Sequence, residues 1–427
     1  MDLEKRVAPT SYVRVQQGQE VLIVLEEPLV ASRPGRGGVR ATLNLLSSHG
    51  FHRGVVVILS PMEQSSYALC YHALARSTHG SARLHGPDGH MTTDGMMTKR
   101  SSTLHDDITD VPGVRVGHAT DLRAKTGVTV ILVPAEGVAA GAYIGGTASS
   151  TRQMDSLKPL HLVPRIHGIC LAGGSAFGLD AAGGVMAYLE EQGAGIPVTG
   201  RVIPIVPSAV IFDLNFGDGS VRPDHAMGYQ ACLNAGAGPV EQGSVGAGTG
   251  ATVGKLLGIE QAMKGGVGSA SSISGDLIVG ALVVVNAYGD VIDEDGKVLA
   301  GARASSTGLE PANSARLLKD GEAMSRAVPV ENTTLAVVAS NARLDKISAS
   351  RIARQATLGM AGVIRPFHTH IDGDLTIVVG LGAEQVDPNR LGLLAADALQ
   401  GAVMKAVREA DGFGIVPAWK DAGRSPR

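Results

Sequence analysis

Short apolar runs separated by glycine-rich turns dominate the chain from Asp106 onwards, and two long segments of helical period lie near its C-terminus. Val114 and Val116 begin an alternating strand behind the Val111-Pro112-Gly113 turn, and residues 127–133 read as a buried strand. Residues 167–171 predict a further strand that runs through Gly173-Gly174-Ser175 into a helix ending near Glu190-Glu191. Residues 202–214, interrupted by Pro204 and Pro207, predict an irregular strand, and residues 277–285 a central one. The order then becomes strand at 335–339, helix at 345–363, strand at 375–379 and helix at 389–410. Residues 301–331 are polar, with a helical middle at 314–321, and read as an exposed connection.

Residues 1–96 have a different texture. Strands are expected at 20–25 and 55–59 with a helix at 38–48, after which the His-, Gly-, Asp- and Met-rich stretch up to Met97 reads as linker. Met91, Met96 and Met97 stand just ahead of the regular part. Residues 1–96 are therefore read as an appended segment, with a start assigned too early as one explanation, and residues 97–427 as the catalytic domain. The first residues lead into no apolar core of a signal peptide.

Composition narrows the class. A length of 427 residues allows two or three domains, although layered α/β folds often run longer as one unit. With 57 glycines and only 3% aromatics, the core must be built by close backbone approach rather than by large rings. A formal net charge of -3 without a basic cluster argues against nucleic acid or an anionic membrane as partner, and a small substrate fits better. Cys70, Cys170 and Cys232 show no metal-ligand spacing and read as reduced residues of a cytoplasmic protein. The longest apolar run, 277–285, is too short to span a bilayer.

The sharpest chemistry lies at Glu331-Asn332-Thr333-Thr334, directly ahead of the strand at 335–339. Cutting the Asn332-Thr333 bond would give Thr333 both a hydroxyl and a free α-amine, whose ordinary pKa of roughly 8 lets it take the hydroxyl proton near neutral pH. Locally, the same residues also describe a plain turn before a strand. Gly173, Gly174 and Ser175 lie where backbone N–H groups can hold an oxyanion or line a substrate loop, or simply make a tight turn. Phe177 replaces the last glycine of a G-x-S-x-G elbow, so Ser175 is not read as a nucleophile. The glycine-rich stretch 243–256 is no Walker A loop, because Thr249 and Leu256 stand where Gly and Ser or Thr are required. It either delivers Lys255 into a confined space or leaves it solvated. Asn286, at a strand's end, can donate to an oxyanion or belong to a hairpin turn. On an extended chain His368, His370, Asp372 and Asp374 would share one side and form the best metal candidate. His118, at a strand end, is either catalytic or structural.

Five stretches, in order, resemble the DmpA-type peptidase family of self-processing aminopeptidases, β-aminopeptidases and nylon-oligomer hydrolases. They are Asp107-Ile108-Thr109-Asp110-Val111-Pro112-Gly113-Val114, Gly173 to Gly178, Val245 to Lys255, Asn332-Thr333-Thr334 and Asp372-Gly373-Asp374. The resemblance covers about residues 106–410. It implies an αββα sandwich of the N-terminal-nucleophile type, as in ornithine acetyltransferases, and a precursor cut into an α chain, 97–332, and a β chain, 333–427. It also implies Thr333 as nucleophile after cleavage at Asn332, with Lys255 beside it and Asn286 as oxyanion donor. Asp372 and Asp374 would hold the Thr333 amine and hydroxyl. An Asp pair with a Thr nucleophile is closer to the nylon-oligomer hydrolase branch, which acts on amides of 6-aminohexanoate. Phe212, where many members have tyrosine, His370 and residues 1–96 depart from the pattern.

The activity so implied is that of a self-cleaving amidohydrolase or aminopeptidase for small peptides or amino-acyl amides with a free amino end. No metal or organic cofactor is required, and the assembly expected is a homo-oligomer of αβ units. Two other readings stand beside it: a metal-dependent hydrolase built on His368, His370, Asp372 and Asp374, and an acetyl-transferring enzyme of the ornithine acetyltransferase type.

Overall fold

The computed structural model describes residues 104–322 and 332–422 and, nearer the N-terminus, the backbone of four strands. Contacts divide the chain into two units, Met1–Lys99 and Arg100–Arg427. In the first, strands Ser11–Val15, Gln19–Val24, Ala41–Ser47 and Gly50–Val56 pair antiparallel in sequence order. The helix expected at 38–48 is thus a strand. Thr42, Leu43, Asn44 and Leu45 alternate polar and apolar with the strand period, and Ser47 pairs with Gly50. The linker expected before Met97, including Met91 and Met96, lies outside the described residues, as does Cys70.

In the second unit the elements that concern the site are, in chain order, β1 (Arg115–Asp121), β2 (Thr126–Leu132), β3 (Ala139–Ile144), β4 (Thr151–Arg152), β5 (Gly168–Ala172) and α1 (Ala181–Glu191). There follow β6 (Ser208–Val210), α2 (His225–Leu233), β7 (Gly266–Ser274), β8 (Leu277–Asn286) and α3 (Ser314–Lys319). The last are β9 (Thr333–Ala342), α4 (Lys346–Val363), β10 (Leu375–Glu384) and α5 (Pro388–Arg408). One sheet has the order β1-β2-β5-β6-β4 and the other β7-β8-β9-β10-β3, with β5/β6 and β9/β10 as the parallel pairs.

Side-chain alternation explains the layering. Ile131, Ile169, Leu171 and Ala209 of the first sheet meet Leu282, Val284, Leu335, Val337, Leu375, Ile377 and Val379 of the second, which forms the central core. Their neighbours turn outward: Val128, Val130 and Cys170 pack on α1 and α2, and Val283, Val285, Ala336 and Val338 on α4 and α5. Strands covered on both faces read as unbroken apolar runs, which is why residues 335–339 and 277–285 show no polar alternation. The result is an αββα sandwich.

Local signals set the outer helices. Asp345 caps α4 by accepting from Ser348 N at 2.7 Å, and Asp387 caps α5 from Asn389 N at 2.7 Å, with Pro388 at its first turn. Ile352, Ala356 and Met360 of α4 and Leu391, Ala395, Ala398 and Ala402 of α5 recur at helical spacing and are buried. Cys170 and Cys232 are buried free thiols, and burial raises the pKa of both, so both stay protonated at neutral pH.

Leu282 lies wholly buried between the sheets. Leu282→Ala is expected to cost about 2–5 kcal/mol, whereas Leu358→Ala on the exposed face of α4 should stay within about 0.5 kcal/mol. Urea unfolding of the two variants checks the difference.

Candidate active site

The strand register brings Asn286, the last residue of β8, opposite Thr333, the first residue of β9. Thr333 shares the side of Leu335 and Val337, and Asn286 that of Leu282 and Val284, so both side chains point between the sheets. Asp374 immediately precedes β10, and Asn332 bridges to Asp372 in parallel fashion. Phe212 and Asp213 follow β6, and Gly173 to Ser175 follow β5.

Hydrogen bonds tie these ends together. Thr333 Oγ1 donates to the Asn332 carbonyl at 2.5 Å, and Gly373 N–H donates to the same oxygen at 2.9 Å. Thr334 N–H donates to Asp374 Oδ1 at 2.6 Å. Lys255, nearly inaccessible, donates from Nζ to Asn286 Oδ1 at 2.9 Å and to Thr252 O at 2.8 Å. Asn286 Nδ2 in turn donates to Phe212 O at 3.1 Å, which joins the two sheets. The ring of Phe212 takes no part in that bond.

Gly173, Gly174 and Ser175 stand differently from the expectation. Their N–H groups donate to Gly127 O, Asp213 Oδ1 and Ile211 O at 3.0, 2.6 and 2.9 Å. The loop is thereby bonded into the fold through Asp213, which also accepts from Thr126 Oγ1 at 2.7 Å, and presents none of these three donors to an oxyanion. Burial raises the Asp213 carboxyl above the usual range, with these hydrogen bonds opposing.

The four-residue metal candidate does not form. Residues 366–371 are not a strand: His368 has φ of +53°, and His370 turns outward to solvent. Asp372 and Asp374 are engaged with Thr369 and His368, and no group of three or more His, Cys, Asp or Glu able to hold a metal exists among the described residues. His118 is structural, bonded to Thr129 Oγ1 at 2.9 Å beneath the Gly246 turn, and burial lowers its pKa to about 4.

Several participants escaped the sequence. Lys264 is wholly buried and donates to the carbonyls of Gly248, Ala251 and Gly265 at 2.8–2.9 Å, supporting the loop that carries Lys255. Burial lowers its pKa to about 7, Asp213 opposing and Lys255 adding to the fall. Tyr288, two residues beyond Asn286, packs with Leu256 and Ile371, and its hydroxyl is buried without a partner. Thr369, and His368 in place of the metal-ligand role expected of it, hold the two carboxylates. The spacing of Tyr288 from Asn286 could also have been noticed in the sequence.

Residues 106–420 match the model of peptidase family S58. The chain belongs to that family. An uncharacterized aminopeptidase of Mycobacterium tuberculosis is 37% identical over 74% of this chain and 97% of its own length. A 6-aminohexanoate-oligomer endohydrolase of Paenarthrobacter ureafaciens is 32% identical over 70% of this chain and 84% of its own. The L-aminopeptidase D-Ala-esterase/amidase of Ochrobactrum anthropi, a variant of the N-terminal-nucleophile hydrolase fold, superimposes with a TM-score of 0.56 over 72% of this chain and 87% of that one, at 21% identity. This S58 chain therefore has the N-terminal-nucleophile αββα fold and is a self-cleaving hydrolase of amide bonds. Among its described residues no helix is long and apolar enough to cross a membrane.

The Asp372 carboxyl is pushed up to about 6, first by burial and then by the charge of Asp374, with the bonds from Thr369 and the charge of Lys255 opposing. A carboxyl raised in the folded state contributes stability below its unfolded value, near 4, and that contribution is lost as the pH rises through about 6. In a Thr333→Ala background, Asp372→Asn should therefore gain stability over its parent as the pH is raised from about 4 to about 7. Urea midpoints at the two pH values give the comparison, and a pH-independent difference contradicts it.

Proposed function

We propose that the chain cuts itself once, between Asn332 and Thr333, and that Thr333 then serves as the N-terminal nucleophile of an amidohydrolase. The observation that carries this reading is the junction itself: the Thr333 hydroxyl lies against the Asn332 carbonyl, and Gly373 N–H donates to that same oxygen at 2.9 Å. Thr333 Oγ1 attacks the Asn332 carbonyl carbon, the carbon–nitrogen bond breaks, and the hydroxyl proton leaves with the freed amine. Water then hydrolyses the ester, giving fragments that end at Asn332 and begin at Thr333.

In the mature enzyme the Thr333 amine takes the hydroxyl proton, Oγ1 attacks the substrate carbonyl, and the departing amine is protonated in turn. Asn286 is the proposed oxyanion donor, since it sits opposite Thr333. Asp372, whose Oδ1 is buried without a partner, receives the new ammonium, Asp374 anchors the first turn of β9 through Thr334, and Lys255 offsets the paired negative charge. Buried carboxylates also favour a substrate with a free amino end. Small peptides and linear ω-amino acid amides are the proposed substrates, the latter supported by the likeness to the 6-aminohexanoate-oligomer endohydrolase. The mature protein is proposed to be a cytoplasmic homo-oligomer of an α chain, 97–332, and a β chain, 333–427, with residues 1–96 as an appended segment.

Intact-mass spectrometry of purified protein should find a fragment with Thr333 at its N-terminus. Thr333→Ala should remain whole, and Thr333→Ser should retain some processing. A wild-type chain that stays intact contradicts the reading. In processed protein, Asn286→Ala is expected to lower kcat on an amino-acyl amide by about 10²–10³-fold, with hydrolysis followed by release of the amine.

A further inference from the structure

His368 has no part in the chemistry so far, yet it is built into the site. Its Nδ1 lies 3.0 Å from Asp374 Oδ2, and its own backbone N–H donates to the same oxygen at 3.2 Å. The next residue repeats the device on the other carboxylate: Thr369 N–H and Oγ1 donate to Asp372 Oδ2 at 3.0 and 2.5 Å. Two consecutive residues thus each grip one carboxylate by a backbone and a side-chain donor. Both grips take the Oδ2 oxygens. Asp374 Oδ1 is left for Thr334 N–H, and Asp372 Oδ1 is left buried beside the scissile junction without a partner.

The imidazole is held in a slot. It stacks on Phe367, with ring centroids 4.0 Å apart, and meets Tyr143 at 6.0 Å. Gly145 closes the slot: a Cβ there would fall 2.3 Å from Nε2. His368 itself adopts φ of +53°, a conformation uncommon for a residue other than glycine. A bond from Nδ1 to a carboxylate requires the proton on Nδ1, and Nε2 is buried without a partner against Gly145. Simple ring packing needs neither the left-handed backbone nor a nitrogen facing Asp374.

We propose that His368 is a positioning residue for hydrolysis. By donating from Nδ1 to Asp374 it orients the carboxylate pair so that Asp374 binds the Thr334 N–H and Asp372 presents its remaining oxygen to the Thr333 amine. The proposal rests on Thr333 being the nucleophile. It accounts for why two mutually repelling carboxylates keep one arrangement in a dry site.

Three variants separate the donor from the ring. His368→Phe keeps a flat ring in the slot and removes the donor, His368→Asn keeps a donor near the Nδ1 position and removes the ring, and Gly145→Ala keeps His368 and fills its slot. With processed enzyme and an amino-acyl amide, His368→Phe and Gly145→Ala should lose roughly 10–100-fold in kcat with little change in KM, while His368→Asn keeps most of it. Wild-type kcat in folded His368→Phe overturns the proposal, and so does a loss in His368→Asn as large as in His368→Phe. Should His368→Phe not fold, wild-type kcat in Gly145→Ala overturns it. A wild-type chain that never cuts at Asn332-Thr333 defeats the Thr333 reading and this one together, whereas a cut, active wild type with an unaffected His368→Phe removes the role of His368 alone.

Discussion

Everything at the site depends on the antiparallel register of β8 on β9, which sets Asn286 opposite Thr333. Both strands are buried on both faces, so a slip of one residue would exchange the side chains of the inter-sheet core with those under the helices. Leu335 and Val337 on one strand and Leu282 and Val284 on the other have that freedom removed by the packing they share. Thr333 inherits its direction from them. The junction with Asn332 is placed where β9 begins and β8 ends.

That position also fixes the electrostatics. Strand ends buried against a second sheet are dry, and loss of water disfavours the charged form of a group placed there before any partner is counted. Asp372 and Asp213 rise and Lys264 falls first of all for this reason. Partners then differ in what they restore. Lys264 is satisfied by three backbone carbonyls and steadies the loop beneath Lys255, whereas Asp372 keeps one oxygen unmatched. A buried carboxylate with an unfilled bond is costly for the fold, and it is the feature a newly freed ammonium can complete.

How legible this was from sequence follows from the range of each cause. The helices at 346–363 and 388–408 were readable because their caps, Asp345 and Asp387-Pro388, and their apolar period are local. Thr333, Lys255, Asn286, Asp372 and Asp374 were singled out through motifs in a fixed order, and in the fold they lie together at one end of the sandwich. What failed was long-range or conformational. Gly173 to Ser175 show the strand, glycine and helix of an anion-binding turn, but Asp213, 39 residues from Gly174, takes one of their N–H groups. The run from His368 to Asp374 was read with the strand period of two. A left-handed residue at His368 breaks that period, and the His-x-His pattern ceases to mean a shared face.

The composition takes on a different meaning at the junction. A chain so rich in glycine and poor in rings was expected to bring backbones close together, and Thr333 occupies one of those close approaches. A Cβ on Gly373 would fall 2.7 Å from Thr333 Oγ1 and 2.9 Å from Ala148 O. Any side chain at 373 would therefore displace the Thr333 hydroxyl and press on the Ala148 backbone, and would disturb the N–H that Gly373 gives to Asn332. The Asp-Gly-Asp spacing follows from the same constraint. The two acids flank the residue whose backbone N–H bonds the Asn332 carbonyl, so the donor and both carboxylates reach the junction from a single turn of chain.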